Sequence, residues 1–286
     1  RDIGAEIAIA LAGKGVNIVG NYREKQKRAT DVQGTLNSFG VKSEFVQADI
    51  TIESNRNKLD ETVKNSFGGK LDFLVLNASG KSTDVNVTAA NALIDKFLPP
   101  MPIGSTIVLM QSIPGHFETQ LDGLCVNPEF YRPIAKVKHA GEQSIRSRMK
   151  EFKEKGVNFI VICPPEVSDT SNMKVFTRYD PLISKKFTEI SNMLGLPISV
   201  TKKQVGEKIA ELLKRKDLHM GYVEFFGNTV DARSILSTWY GDEAILVDTF
   251  EKIDNNSGIG RLIVTKKHTK GHFDEIIGTS IFPGHK

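Results

Sequence analysis

The stretch Leu71-Asp72-Phe73-Leu74-Val75-Leu76-Asn77-Ala78-Ser79-Gly80 decides the fold. Its first six residues are almost continuously apolar, and small polar residues then end the run. A strand covered on both faces needs this pattern, because every side chain along it meets a core. Similar runs recur on either side: Val16–Gly20 and Ser43–Ala48 upstream, Thr106–Met110 and Val157–Ile162 downstream. Helical spacing fills the intervals. Ile3, Ile7, Ala10 and Leu11 recur on one face ahead of Gly13 and Gly15, which close that helix. Residues 24–39 read as a polar helix stopped by Gly40, Ile52–Phe67 as another, and Val85–Leu98 as one broken by Pro99-Pro100. Residues from about 134 to 154 complete the set. Alternating strands and helices with continuously apolar strands predict an α/β fold built on a parallel sheet with helices on both faces.

Composition narrows the class further. The 286 residues are 40% hydrophobic and 25% charged, enough for a substantial core in one or two domains. Global disorder, a collagen-like repeat and a disulfide-stapled mini-domain are excluded. No run approaches the roughly 20 apolar residues that cross a bilayer, and no secretory signal opens the chain. We therefore expect no membrane span and a cytoplasmic location. Lys+Arg 38 against Asp+Glu 34 gives +4, too slight and dispersed a charge to predict nucleic-acid binding. Cys125 and Cys163 read as reduced thiols. The chain opens on Arg1-Asp2-Ile3-Gly4 without Met and stops at Pro283-Gly284-His285-Lys286, which reads as part of something longer.

After Asn228 the pattern changes. Ala244–Ile253, a turn at Asp254-Asn255-Asn256-Ser257-Gly258, and Arg261–Thr265 read as an antiparallel hairpin. A domain boundary is expected near residues 228–236, giving domains 1–228 and 229–286.

Parallel sheets of this kind bind ligands outside the carboxyl ends of their strands. Gly4, at the start of the first helix, lets a pyrophosphate approach unpaired N–H groups at that helix's N-terminus.

Several segments then resemble the short-chain dehydrogenase/reductase family, in the family's order and across residues 1–228. Arg1-Asp2-Ile3-Gly4-Ala5 resembles the tail of its glycine motif, with Asp2 where the middle glycine usually stands. Asp49 resembles its adenine-side aspartate, and Asn77-Ala78-Ser79-Gly80 its Asn-Asn-Ala-Gly segment. Asn86 resembles the structural asparagine of the following helix, and Ser112 the active-site serine. Pro164-Pro165, with Thr170 beyond, resembles the Pro-Gly…Thr segment that contacts the nicotinamide amide. The resemblance implies a Rossmann-like doubly wound parallel sheet. It also implies a cofactor site of Ile3, Gly4, Tyr22, Arg23, Asp49, Ile50, Asn77, Ala78, Lys138, Pro164 and Thr170. Two departures stand out: the family's first strand and leading glycine are absent, and Asn77 to Asn86 is shorter than the family's connection by about 15–20 residues. The end of the second family strand reads Asn21-Tyr22-Arg23, with Lys25 close behind, where a ribose-binding acid would select NAD. A guanidinium holds a 2′-phosphate bidentately, so NADPH is the expected cofactor.

Reduction by NADPH needs a group that stabilises or protonates the developing oxyanion. A tyrosine with a nearby lysine does both, because the ammonium lowers the phenol pKa and holds the nicotinamide ribose. Lys138 falls where the family's catalytic lysine stands. The usual tyrosine position falls on Ile134, which can do neither task. Tyr131, seven positions before Lys138, resembles instead the wider spacing of the enoyl-acyl-carrier-protein reductase branch. There Tyr131 would polarise the thioester carbonyl, Lys138 anchor the cofactor and Ser112 form a polar wall. Met173, Phe176, Tyr179, Leu182, Phe187, Ile190 and Met193 suit either a substrate-covering helix pair or ordinary amphipathic packing.

The C-terminal stretch, with Gly271-His272-Phe273 and Phe282-Pro283-Gly284-His285, resembles the beginning of a hot-dog-fold (α+β) 3-hydroxyacyl-thioester dehydratase. Aligned on Gly-His-Phe, His272 is the catalytic base; aligned on Phe-Pro-Gly, Ile281 takes its place and the site is dead. His268 and His285 lack the cysteine or carboxylate pattern of a zinc site, and no metal is expected. The leading expectation is NADPH-dependent reduction of an enoyl thioester on acyl carrier protein or CoA, in fatty-acid or polyketide synthesis. The alternatives are a 3-ketoacyl-thioester reductase of the same fold and a non-catalytic structural domain. A homo-oligomer or a place within a multidomain synthase is expected.

Overall fold

The structure, a computed structural model, describes residues 2–123, 128–227, 244–252 and 258–265. Arg1–Ile190 and Pro197–Phe226 form one compact unit. It opens with α1 (Asp2–Ala12), β1 (Ile18–Tyr22), α2 (Gln26–Asn37), β2 (Ser43–Gln47), α3 (Glu53–Phe67) and β3 (Phe73–Leu76). A π-helical turn, Asp84–Ala89, runs into α4 (Ala90–Phe97), followed by β4 (Thr106–Met110), α5 (Ile113–His116) and α6 (Glu118–Gly123). Then come α7 (Arg132–Arg146), α8 (Met149–Lys155), β5 (Asn158–Ile162), β6 (Glu166–Val167), α9 (Ser171–Tyr179) and α10 (Ile183–Met193). The unit ends with β7 (Ser199–Val200), α11 (Lys202–Leu212) and β8 (Tyr222–Glu224).

The strands pair in parallel, as the continuously apolar runs predict. β1 pairs with β2, and β3-β4-β5-β8 form a second parallel block with Val75 opposite Val108 and Ile107 opposite Phe159. Val108, Ile160 and Ile162 from the larger block bury against Ile7 and Leu11 of α1 and Val205 and Ile209 of α11. Ile18 and Leu36 join the same core, so both blocks share it. Fully burying a side chain of this size contributes roughly 1.5–3 kcal/mol, which is why the apolar runs dominate the fold. β6 and β7 form a separate two-stranded parallel pair.

Two boundaries differ from the sequence reading. Val16 donates its N–H to Leu11 and so closes α1, which delays the strand to Ile18. The helix expected over 134–154 is two helices. Arg148 sits between them with φ −94° and ψ 2°, and its guanidinium binds Asp95 of α4 at 2.7 Å and Glu151 at 2.9 Å. That anchor turns the chain, a feature periodicity does not register.

β9 (Ala244–Lys252) and β10 (Gly258–Thr265) form an antiparallel hairpin with a register shift at Arg261/Leu262. His272 and the motifs around it lie outside the described residues. No helix among the described residues is long and apolar enough to cross a membrane.

Candidate active site

The carboxyl ends of the parallel strands collect nearly every residue singled out from the sequence. Tyr22 ends β1 with Arg23 beyond it; Asp49 and Ile50 follow β2; Asn77 and Ala78 follow β3; Ser112 follows β4; Pro164 follows β5. Ile3 and Gly4 occupy the first turn of α1.

Gly4 faces Asn77 closely: a Cβ built there would meet Asn77 Nδ2 at 2.7 Å. Only glycine lets the start of α1 come this near the end of β3. Asp2, in the family's middle-glycine position, has φ +52°, a conformation most side chains avoid. Ser171 offsets that cost by donating both its N–H and its hydroxyl to Asp2 Oδ1, each at 3.0 Å. The substitution thus ties the first turn of α1 to the first turn of α9.

The connection from Asn77 to Asn86 closes on its own hydrogen bonds despite its brevity. Asn86 is buried and donates to Gly80 O at 2.8 Å and Ser82 O at 2.7 Å, while Ser79 Oγ donates to Asn86 Oδ1 at 2.8 Å.

Beyond β2, Asp49 accepts the Thr51 hydroxyl at 2.7 Å and the Thr51 N–H at 3.0 Å. Those bonds, with Arg23 nearby, hold its carboxyl below its ordinary range. Arg23 is exposed and pairs with its neighbour Glu24 at 3.0 Å.

Beyond β4, Tyr131 O–H donates to Ser112 Oγ at 3.1 Å. Tyr131 is the N-cap of α7, and Lys138 lies two turns further along it. Seven residues advance a helix by nearly two whole turns, so both side chains share a face about 10 Å apart along the axis. Ile134, at the usual tyrosine position, is buried instead. Lys138 Nζ donates to Met110 O at 3.1 Å and Ser79 Oγ at 3.4 Å, which draws the ammonium back toward the ends of β3 and β4. Burial pulls its pKa down to about 8, against the opposing pull of Cys163 and Glu142. Burial pushes the Tyr131 phenol up, with its bond to Ser112 working the other way. Ser112 Oγ also accepts from Gly115 N at 3.2 Å. With two bonds accepted, its own proton is left to donate.

Comparison with known proteins identifies the family. The short chain dehydrogenase family model (adh_short) matches residues 1–180. The chain belongs to the short-chain dehydrogenase family. Hydroxynaphthalene reductase arp2 of Aspergillus fumigatus is 36% identical over 78 residues, 27% of this chain and 28% of that enzyme. The match thus spans little more than a quarter of that relative's length. A short-chain dehydrogenase from Burkholderia cenocepacia J2315, solved in complex with NADP, superposes with a TM-score of 0.63 at 18% identity, covering 79% of this chain and 93% of that one. The angucycline C-6 ketoreductase LanV with bound NADP gives a TM-score of 0.64 at 19% identity, covering 80% and 92%. At these identities the likeness is one of fold.

In this short-chain dehydrogenase, α9 and α10 carry apolar residues from Met173 to Met193. Phe176 and Phe187 meet the Tyr131 ring edge-on, with centroids 5.8 and 5.4 Å away. Thr170 is the buried N-cap of α9, its hydroxyl oxygen accepting from Met173 N at 3.1 Å while its O–H donates to Val167 O at 3.1 Å. It is committed to shaping the loop after Pro164. Sequence reasoning missed Gln111, His116 and Glu142, which lie directly behind Ser112 and Lys138. The only trace of them was helical spacing, since Lys138, Glu142 and Arg146 follow one another at four-residue intervals.

Proposed function

We propose that this chain reduces a ketone to a secondary alcohol with NADPH. The observation that carries the reading is the Tyr131–Ser112 hydrogen bond, with Lys138 on the same helix face as Tyr131 and drawn to the same strand ends. The residues present fit the dinucleotide: Gly4 lets the first turn of α1 stand against Asn77 with no Cβ between them, and exposed Arg23 follows β1 at its carboxyl end. Its exposed pairing with Glu24 is weak enough to exchange for a 2′-phosphate. NADP bound in the Burkholderia enzyme and LanV supports the choice of cofactor.

NADPH supplies the hydride when bound. Ser112 donates its free proton to the substrate carbonyl and polarises it. Tyr131, kept protonated by burial, delivers its proton as negative charge develops on that oxygen. Lys138, its pKa lowered to about 8, keeps its ammonium at the ends of β3 and β4, where it would hold the cofactor's ribose.

Ketoreductases among the fold neighbours favour this reading over enoyl reduction. The wide Tyr131–Lys138 spacing that suggested the enoyl branch has a geometric account, because two helical turns align the pair much as one would. The proposed substrate is a 3-ketoacyl thioester on acyl carrier protein or CoA, consistent with an aromatic wall of Phe176 and Phe187 around an uncharged group. The division into a reductase at 1–228 and a dehydratase-like beginning at 229–286 rests on sequence motifs, as does homo-oligomerisation or a place in a multidomain synthase. NADPH oxidation with acetoacetyl thioester, compared with crotonyl thioester, tests the reading. Consumption with the acetoacetyl compound is expected; consumption with crotonyl thioester alone would defeat it.

A further inference from the structure

Gln111 immediately precedes Ser112 and is 5% exposed. Its main chain extends the sheet, since Gln111 N donates to Ile162 O at 2.8 Å. Its carboxamide then reaches in three directions. Oε1 accepts from Ser112 N at 3.0 Å; Nε2 donates to Lys138 O at 2.9 Å and to Glu142 Oε2 at 2.9 Å. A carboxamide has two N–H donors, and both are used on α7. The side chain therefore bridges the backbones of Ser112 and Lys138, which come from different elements.

The bridge is itself held rigid. Glu142 accepts Arg146 Nε at 2.8 Å and sits 2.8 and 3.0 Å from His116 Nδ1. The His116 ring packs edge-on against Phe117 and Phe225, at 4.7 and 5.3 Å. His116 closes the circuit by donating its main-chain N–H to Ser112 O at 2.8 Å. Gly115 completes the fit: a Cβ there would strike Gln111 Oε1 and come within 3.0 Å of Lys138 Cβ.

We propose that Gln111 is a positioning residue for the reduction, fixing the separation of Ser112 and Lys138 through one carboxamide. This rests on Ser112, Tyr131 and Lys138 being the reacting site. A buried network in which every member is satisfied has one low-energy arrangement, and so transmits the position of the sheet to α7. The charged and titratable groups around the network include Lys138, His139, Glu142 and Arg146 of α7 and His116 of α5. Those acting on Lys138 are Glu142 and Cys163.

The test compares Gln111→Leu, Gln111→Glu, Ser112→Ala and Tyr131→Phe, with acetoacetyl thioester and NADPH as probes. Gln111→Leu keeps the volume and loses all three bonds. We expect kcat to fall on the order of ten- to a hundred-fold, with KM changing less than about threefold. Gln111→Glu retains the acceptor for Ser112 N and loses its donors while ionised. Protonation restores one donor, so its kcat relative to the parent protein should rise several-fold from about pH 8 to about pH 6, because burial beside Glu142 raises the new carboxyl's pKa. A merely structural role would lower the melting temperature and leave that ratio flat. Wild-type kcat in folded Gln111→Leu, or a flat pH ratio in Gln111→Glu, overturns the proposal. If Ser112→Ala and Tyr131→Phe are also fully active, the site reading fails with it; if only the Gln111 variants are active, the site stands and this inference alone falls.

Discussion

Arg23–Glu24 and Arg146–Glu142 are arginine–glutamate contacts of similar length, 3.0 and 2.8 Å, in opposite surroundings. The side chains of the first pair are 66% and 61% exposed, those of the second 19% and 1%. Water competes with the first pair and screens it, so its partners can be exchanged cheaply. In the second, Glu142 is cut off from water and Arg146 largely so, and losing one partner strands a charge. On the proposed reading, the exposed Arg23–Glu24 end trades contacts with a ligand. On the same reading, the buried end holds Ser112, Tyr131 and Lys138 still.

The largest expected effect is at the reacting end. Tyr131→Phe removes the acid while keeping the ring between Phe176 and Phe187, and should lower kcat/KM about 10²- to 10⁴-fold at nearly unchanged stability. A melting curve beside the kinetics separates the two. Next comes Glu142→Ala, which leaves His116 and Arg146 without their common partner. Chemical denaturation should give a loss of about 3–5 kcal/mol. A cost below about 1 kcal/mol would erase the contrast with the exposed pair.

Glu142 also carries a pH signature. Burial pushes its carboxyl up, but His116 and Arg146 outweigh burial and hold it well below its ordinary value near 4.5. The stability it contributes is therefore fully present above that value and is lost as pH falls toward the folded-state pKa. In Glu142→Gln the melting temperature should decline less steeply below pH 4.5 than in the parent protein; equal slopes would remove Glu142 from the acid transition.

Smaller effects belong to the adenine end. Arg23→Ala should weaken NADPH roughly ten- to a hundred-fold while leaving NADH affinity nearly constant, read by fluorescence titration. Equal losses for both cofactors would detach Arg23 from the 2′-phosphate. Glu24→Ala should change stability by less than about 1 kcal/mol, in keeping with its exposure.

Much of this molecule is legible in its sequence because parallel strands buried on both faces have no choice but to be apolar. Phe73–Leu76, Thr106–Met110 and Asn158–Ile162 therefore declare themselves. The residues at their carboxyl ends, from Tyr22 to Pro164, follow from the topology. What the sequence does not declare is set by contacts distant along the chain. Arg148 splits a helix by reaching Asp95; Asp2 takes a positive φ because Ser171 rewards it; Gln111 bridges Ser112 to a carbonyl 27 residues away. Short elements such as β6, β7 and β8 exist only by pairing, and they too escape a reading based on periodicity.

The central claim is ketone reduction at Ser112, Tyr131 and Lys138, and one measurement addresses it directly. NADPH oxidation by the protein and by Tyr131→Phe is followed with acetoacetyl thioester, and the alcohol product is identified. The account predicts turnover by the parent protein, formation of the 3-hydroxyacyl thioester and a loss of at least about 10²-fold in the variant. Undiminished turnover by Tyr131→Phe, or NADPH consumption confined to an enoyl thioester, would contradict it.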